Sequence, residues 1–133
     1  MGNIAPKHIL VVDDDPDFLT LLSQRLSSWG YKVSTVDEGE KALELVQEQR
    51  PDLILLDIML PKMKGREVCL RLKQDSKTAG IPVIFLSALG LADHIRAGMD
   101  LGAEDYIVKP FQSEELKERI EVCLSRSASR KDG

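Results

Sequence analysis

The chain has only two cysteines in 133 residues, Cys69 and Cys123, with no CxxC spacing and no neighbouring histidine. That pattern gives no sign of a cysteine-ligated metal. Both thiols fall in helix-like patterns among aliphatic residues, the setting of small core filler, and a disulfide is not expected in a reducing compartment. No apolar run approaches the roughly 20 residues that a membrane helix needs. The amino terminus also lacks a long apolar region behind its positive charge, so no signal peptide is expected and a cytoplasmic location is the default. A basic excess is missing too: 18 Lys and Arg stand against 22 Asp and Glu, a net charge of -4. Direct nucleic-acid binding, which needs a basic face, is therefore not expected. The one basic cluster, Arg126, Arg130 and Lys131, lies in the Ser-rich end SRSASRKDG. Composition thus divides the chain into one domain, 1–125, and a flexible tail or start of a linker, 126–133.

What is present is alternation. HILVV at 8–12 is a β-rich run that stops at Asp13, Asp14 and Asp15, and Asp15-Pro16 is a helix start with Asp15 as N-cap. Phe18, Leu21, Leu22, Leu26 and Trp29 follow at helical spacing and Gly30 closes the segment. A strand at 31–36 and a helix at 38–48 come next. DLILLDIM at 52–59 then places four consecutive aliphatics before Asp57, the mark of a strand buried on both faces. After the loop IMLPKMKG come a helix from about 66 to 74, a strand IPVIFL at 81–86 ending at Ser87, and a weaker helix over 91–101 stopped by Gly102. A short strand at 106–108 runs into Lys109-Pro110, and the last helix spans 114–124. Five strands alternating with five helices imply right-handed crossovers and an α/β, doubly wound, five-stranded parallel sheet.

In such a sheet all strands end at one edge, where ligands bind. Strand one ends in Asp13 and Asp14, strand three in Asp57, strand four in Ser87 and strand five in Lys109. An isolated DDD is most often a solvated turn and helix cap. Three carboxylates brought together, however, repel unless a cation is present. Hard oxygen donors suit Mg²⁺, with Mn²⁺ as the substitute, while an amine and a hydroxyl are the groups wanted around the equatorial oxygens of a phosphoryl in transfer.

VVDDDP, LLDIMLP, the Ser87-Ala88 pair and VKPF together resemble the receiver domain of two-component response regulators, and DEGEKALELV and LGAEDYIVKPF add minor matches. The resemblance runs from His8 to Leu124. It implies the flavodoxin-like strand order 2-1-3-4-5 and a phosphorelay function. Asp57 would accept a phosphoryl group from a histidine kinase or histidine phosphotransfer protein. Asp13, Asp14, Asp57 and the Met59 backbone carbonyl would hold Mg²⁺. Lys109 would pair with Asp57 and then with the phosphoryl, and its bond to Pro110 would be cis. Ser87 would swing toward the phosphoryl and Tyr106 would follow inward, remodelling the surface of the fourth helix, fifth strand and fifth helix. Arg96, Asp105 and Arg119 would lie on that surface, a candidate homodimer face. By the same resemblance the domain is not an enzyme beyond its own phosphorylation and slow self-dephosphorylation. Trp29 is assigned to helix packing.

Departures and rivals bound this reading. Lys62 and Lys64 stand where similar receivers usually carry Gly and Asp, which makes the loop after Asp57 basic and removes an N-cap from the third helix. Two lysines there would favour an acidic phosphodonor surface. Met59 and Leu89 are apolar at places that influence water access to the acyl phosphate, so slow dephosphorylation is expected. A haloacid dehalogenase-like Mg²⁺ phosphohydrolase would carry its nucleophile on strand one in a DxDx(T/V) pattern, but Asp occupies the Thr/Val place here. A flavodoxin-like nucleotide binder would need a Gly/Ser/Thr-rich phosphate loop. A non-phosphorylated interaction module would not need the full constellation. No helix-turn-helix follows Leu124, so a receiver without an output domain is expected, either stand-alone or cut from a longer regulator.

Overall fold

A computed structural model of the chain describes residues 5–132, with side chains as far as residue 127. The order is β1 (His8–Val12), α1 (Pro16–Ser28), β2 (Lys32–Val36), α2 (Gly39–Glu48), β3 (Leu53–Leu56), α3 (Gly65–Gln74), β4 (Val83–Ser87), α4 (Ala92–Asp100), β5 (Asp105–Val108) and α5 (Ser113–Asp132). All strand pairs are parallel. The sheet order is β2-β1-β3-β4-β5, so the doubly wound α/β fold with five helices is as expected.

The sheet is covered on both faces because its inner strands are apolar at every position but two, His8 at the start of β1 and Ser87 at the end of β4. Period-two alternation sends Leu10, Val12, Ile54, Leu56, Val83 and Phe85 to the side of α2, α3 and α4, where Ala42, Val46, Val68, Cys69 and Leu72 meet them. It sends Ile9, Val11, Leu53, Leu55, Ile84 and Leu86 to the other face, against Leu22 and Leu26 of α1 and Leu116, Ile120 and Cys123 of α5. Both cysteines are buried and outside any disulfide, and Trp29 packs against this second cluster as expected. The edge strand β2 has no fully buried residue, in keeping with its more polar sequence KVSTV.

Helix ends follow local chemistry. Asp15 accepts from the N–H groups of Asp17 and Phe18 with Pro16 at the first position, as expected. At the other end of α1, Gly30 has φ +95, its N–H donates to Ser27 O and that of Tyr31 to Leu26 O, which satisfies the last carbonyls. Lys64 makes no side-chain cap for α3, consistent with the missing Asp.

Two boundaries differ from the sequence reading by more than one residue. β4 begins at Val83, two residues later than expected, although Pro82 O still accepts from Ile54 N at 3.0 Å. Helix α5 continues past Leu124 to Asp132, because no Gly or Pro interrupts 125–132. Most of the expected 126–133 tail therefore has a helical backbone, while the side chains of Arg130 and Lys131 lie outside the described residues. Among the described residues no helix is long and apolar enough to cross a membrane.

Candidate functional site

The chain order reverses direction between β1 and β3, and the carboxyl edge of the sheet at this switch point carries the acidic residues. Backbone hydrogen bonds continue the ladder one step beyond the strands. Asp57 N donates to Val12 O at 3.0 Å, Asp13 N to Val36 O at 3.2 Å and Lys109 N to Ser87 O at 2.8 Å. The residues that close strands one, three, four and five are thereby fixed side by side, as the parallel topology requires.

Asp13, Asp14 and Asp57 each present an oxygen within 4.8 Å of the others, a group that can hold a metal ion. Asp13 and Asp57 are buried, at 2% and 7% exposure, and Asp14 is exposed. Burial pushes the Asp57 carboxyl above the usual carboxylate value; the Lys109 charge and the Met59 N–H pull it down, and Asp13 adds to the rise. Among the described residues one ammonium pairs with these carboxylates: Lys109 Nζ is 2.5 Å from Asp13 Oδ2 and 3.5 Å from Asp57 Oδ2. The remaining negative charge fits a divalent cation with oxygen ligands.

Asp13 Oδ1 accepts from Asp15 N at 2.9 Å and Asp57 Oδ1 from Met59 N at 3.2 Å, which fixes both carboxylates in orientation. The Met59 side chain is itself half exposed. The third helix starts directly over the acceptor: a Cβ at Gly65 would sit 2.1 Å from Asp57 O, so only glycine fits. Sequence reading treated Gly65 as loop punctuation; its contact with Asp57 is a tertiary fact that no local pattern signals.

Ser87 is fully buried, and its Oγ accepts from Leu89 N at 3.3 Å, while neighbouring Ala88 is exposed. Tyr106 already lies inward, with 7% exposure, its ring 5.9 Å from that of Phe85 and its hydroxyl donating to Leu89 O at 2.5 Å. The Lys109–Pro110 peptide is cis. On the adjoining surface Arg119 Nη1 donates to both carboxylate oxygens of Asp105, at 2.6 and 2.7 Å, and its Nη2 lies 3.7 Å from Glu115 Oε2, while Arg96 is exposed.

Two side chains took unexpected roles. Lys62 has φ +65, a left-handed conformation in a non-glycine residue, and its ammonium is 3.3 Å from Glu38. Phe18 was counted among the apolar stripe of α1, yet its ring lies under the Lys109 ammonium at 4.1 Å. Helical spacing reports which face a ring occupies and not which charge it meets.

Comparison with known proteins followed from this geometry. Residues 9–121 match the family described as the response regulator receiver domain. The chain is 45% identical over 119 residues to the DNA-binding dual master transcriptional regulator RpaA of Synechocystis, covering 90% of this chain and 49% of that one. It is 43% identical over 121 residues to the alkaline phosphatase synthesis transcriptional regulatory protein PhoP of Bacillus subtilis, covering 91% and 50%. The chain thus spans about half the length of these curated relatives. Among solved structures, the BeF3-activated receiver domain of Klebsiella pneumoniae RstA superposes with a TM-score of 0.83 at 31% identity, covering 89% of this chain and 98% of that one.

Proposed function

Because the chain belongs to the response regulator receiver domain family, we propose that Asp57 is its phosphoacceptor and that the signal is read on the surface of α4, β5 and α5. The observation that carries this reading is the convergence of Asp13, Asp14, Asp57, Ser87 and Lys109 on one sheet edge around a buried carboxylate. A receiver is a signalling domain rather than a catalytic enzyme, so the chemistry is a single acceptance step.

In that step an oxygen of Asp57 forms a bond to phosphorus as the bond from phosphorus to the donor breaks, and the donor leaves with the electron pair. The donor is the phosphohistidine of a kinase or phosphotransfer protein. Asp13, Asp14, Asp57 and the Met59 carbonyl would hold Mg²⁺, which when bound would supply positive charge for the phosphoryl oxygens. Lys109 shifts from its carboxylate partners to the phosphoryl. Ser87 Oγ, now accepting from Leu89 N, turns its hydroxyl to a phosphoryl oxygen, and the Leu89 carbonyl that holds Tyr106 moves with the same loop. The new charge thus biases a two-state element.

The domain acts in the cytoplasm, where its kinase partner presents the phosphohistidine. Relatives named as DNA-binding and transcriptional regulators support control of a gene-regulatory output, with 126–133 leading toward it. Phosphorylation would favour a homodimer through α4, β5 and α5, in which Arg119 exchanges its internal partner Asp105 for that of a second copy and Arg96 joins the face. Lys62 and Lys64 would draw an acidic donor surface to the acceptor loop.

Incubation with Mg²⁺ and acetyl phosphate, read by intact mass, tests the assignment. One phosphoryl is expected on the wild type and none on Asp57→Asn. Equal uptake by both proteins would overturn it.

A further inference from the structure

Among the described residues the Lys109 ammonium meets three charged or aromatic groups: Asp13 Oδ2 at 2.5 Å, Asp57 Oδ2 at 3.5 Å and the face of Phe18 with its centroid at 4.1 Å. Two of these are carboxylates for which a divalent cation competes. The third is a neutral π-face, which attracts an ammonium through its quadrupole and is not claimed by a metal. The ring is itself held in place. Phe18 lies in the first turns of α1, whose start is fixed by Asp15 and Pro16, and packs edge-on against Phe111 with centroids 6.4 Å apart and planes at 86°. Phe111 follows Pro110, so the ring that braces Phe18 belongs to the same loop as Lys109.

We propose that Phe18 is a positioning residue for Lys109, retaining the ammonium at the acidic edge when the metal occupies the carboxylates. A lysine side chain has four rotatable bonds and loses its hold when its ion pairs weaken. With Asp13 and Asp57 engaged by the cation, the ion pairs that hold Nζ weaken, and Lys109 is already 21% exposed to water. The ring contact opposes its release, so the charge stays where the incoming phosphoryl requires it. This role rests on the receiver reading for its functional consequence, but the contact itself does not.

The test compares Phe18→Leu, which fills the space without a π-face, with Phe18→Tyr, which keeps one. Two readouts are taken at saturating Mg²⁺: the rate of phosphoryl uptake from acetyl phosphate, and, in a separate reaction without acetyl phosphate, the rate at which Lys109 is acetylated by a limiting amine-reactive acetyl ester, resolved by peptide mass. Phe18→Leu is expected to slow uptake about threefold and to speed Lys109 labelling about threefold, the scale of a single cation–π contact. Phe18→Tyr should match the wild type in both. Lys73, which donates to Ala79 O and Ile81 O away from the site, is the internal control and should label at an unchanged rate. Unchanged Lys109 labelling in Phe18→Leu, equal effects in Phe18→Tyr, or parallel acceleration at Lys73 would overturn the assignment. If the wild type takes up no phosphoryl, the receiver reading fails, and the labelling comparison still decides whether Phe18 holds Lys109.

Discussion

Lys109 Nζ lies 2.5 Å from Asp13 Oδ2, closer than the 3.5 Å that separates it from Asp57 Oδ2. In the state described, the lysine is therefore held chiefly to Asp13, a proposed metal ligand, and less closely to Asp57, the proposed acceptor. Removing it leaves a carboxylate of 3% side-chain exposure without its ion-pair partner. Lys109→Met should lower the unfolding free energy by about 2 kcal/mol in EDTA, below the full value for a buried pair because Lys109 is partly exposed. Added Mg²⁺ should recover most of the loss. Urea melts in EDTA and in Mg²⁺ check this, and an equal deficit in both would count against the cation site.

Asp57 gives a pH dependence of defined sign. Its folded pKa is raised, chiefly by burial, so folding disfavours its ionised form. The resulting cost is absent below the unfolded value near 3.8, grows as pH rises through the folded value, and is fully present above it. Asp57→Asn should therefore be more stable than the wild type at neutral pH without metal, with the difference shrinking toward pH 4. Thermal melts of both proteins across that range check it; a constant difference would contradict the cause given.

Lys62 offers a test of backbone strain. A non-glycine residue in the left-handed region costs about 1–2 kcal/mol. The exposed Lys62–Glu38 pair at 3.3 Å returns little of that. Lys62→Gly should raise stability by about 0.5 kcal/mol after the extra chain entropy of glycine. Lys62→Ala keeps the Cβ and should give no gain. Chemical denaturation of the pair decides the point, and a Gly variant weaker than the Ala variant would show that the strain is not there.

The apolar side chains at Met59 and Leu89 predict a long-lived acyl phosphate, since neither can orient a water for attack. Intact mass followed over time after donor removal should show loss of the phosphoryl over minutes or longer. A half-life of seconds would defeat this account.

Much of this was legible in the sequence, for identifiable reasons. ILVV of β1 and LILL of β3 are apolar at every position because both faces of those strands are covered, and their closing carboxylates stand out against such runs. Parallel topology then converts four distant strand ends into one site without any further information. Less legible were features set by the third dimension. The left-handed turn falls on a lysine, where glycine or asparagine would have signalled it. The Ser-rich end reads as a terminus by composition, yet contains no residue that stops a helix before Gly133. Tyr106 reads as a residue waiting to turn inward, whereas its hydroxyl already reaches the Leu89 carbonyl.

The central claim is that Asp57 stores the signal, and the most direct measurement locates the acyl phosphate. Protein treated with Mg²⁺ and acetyl phosphate is reduced with borohydride, which converts an acyl-phosphorylated aspartate to homoserine, and is then mapped by peptide mass spectrometry. The account predicts homoserine at position 57 alone, dependent on Mg²⁺. Homoserine at Asp13 or Asp14, or its absence despite uptake of a phosphoryl, would contradict it.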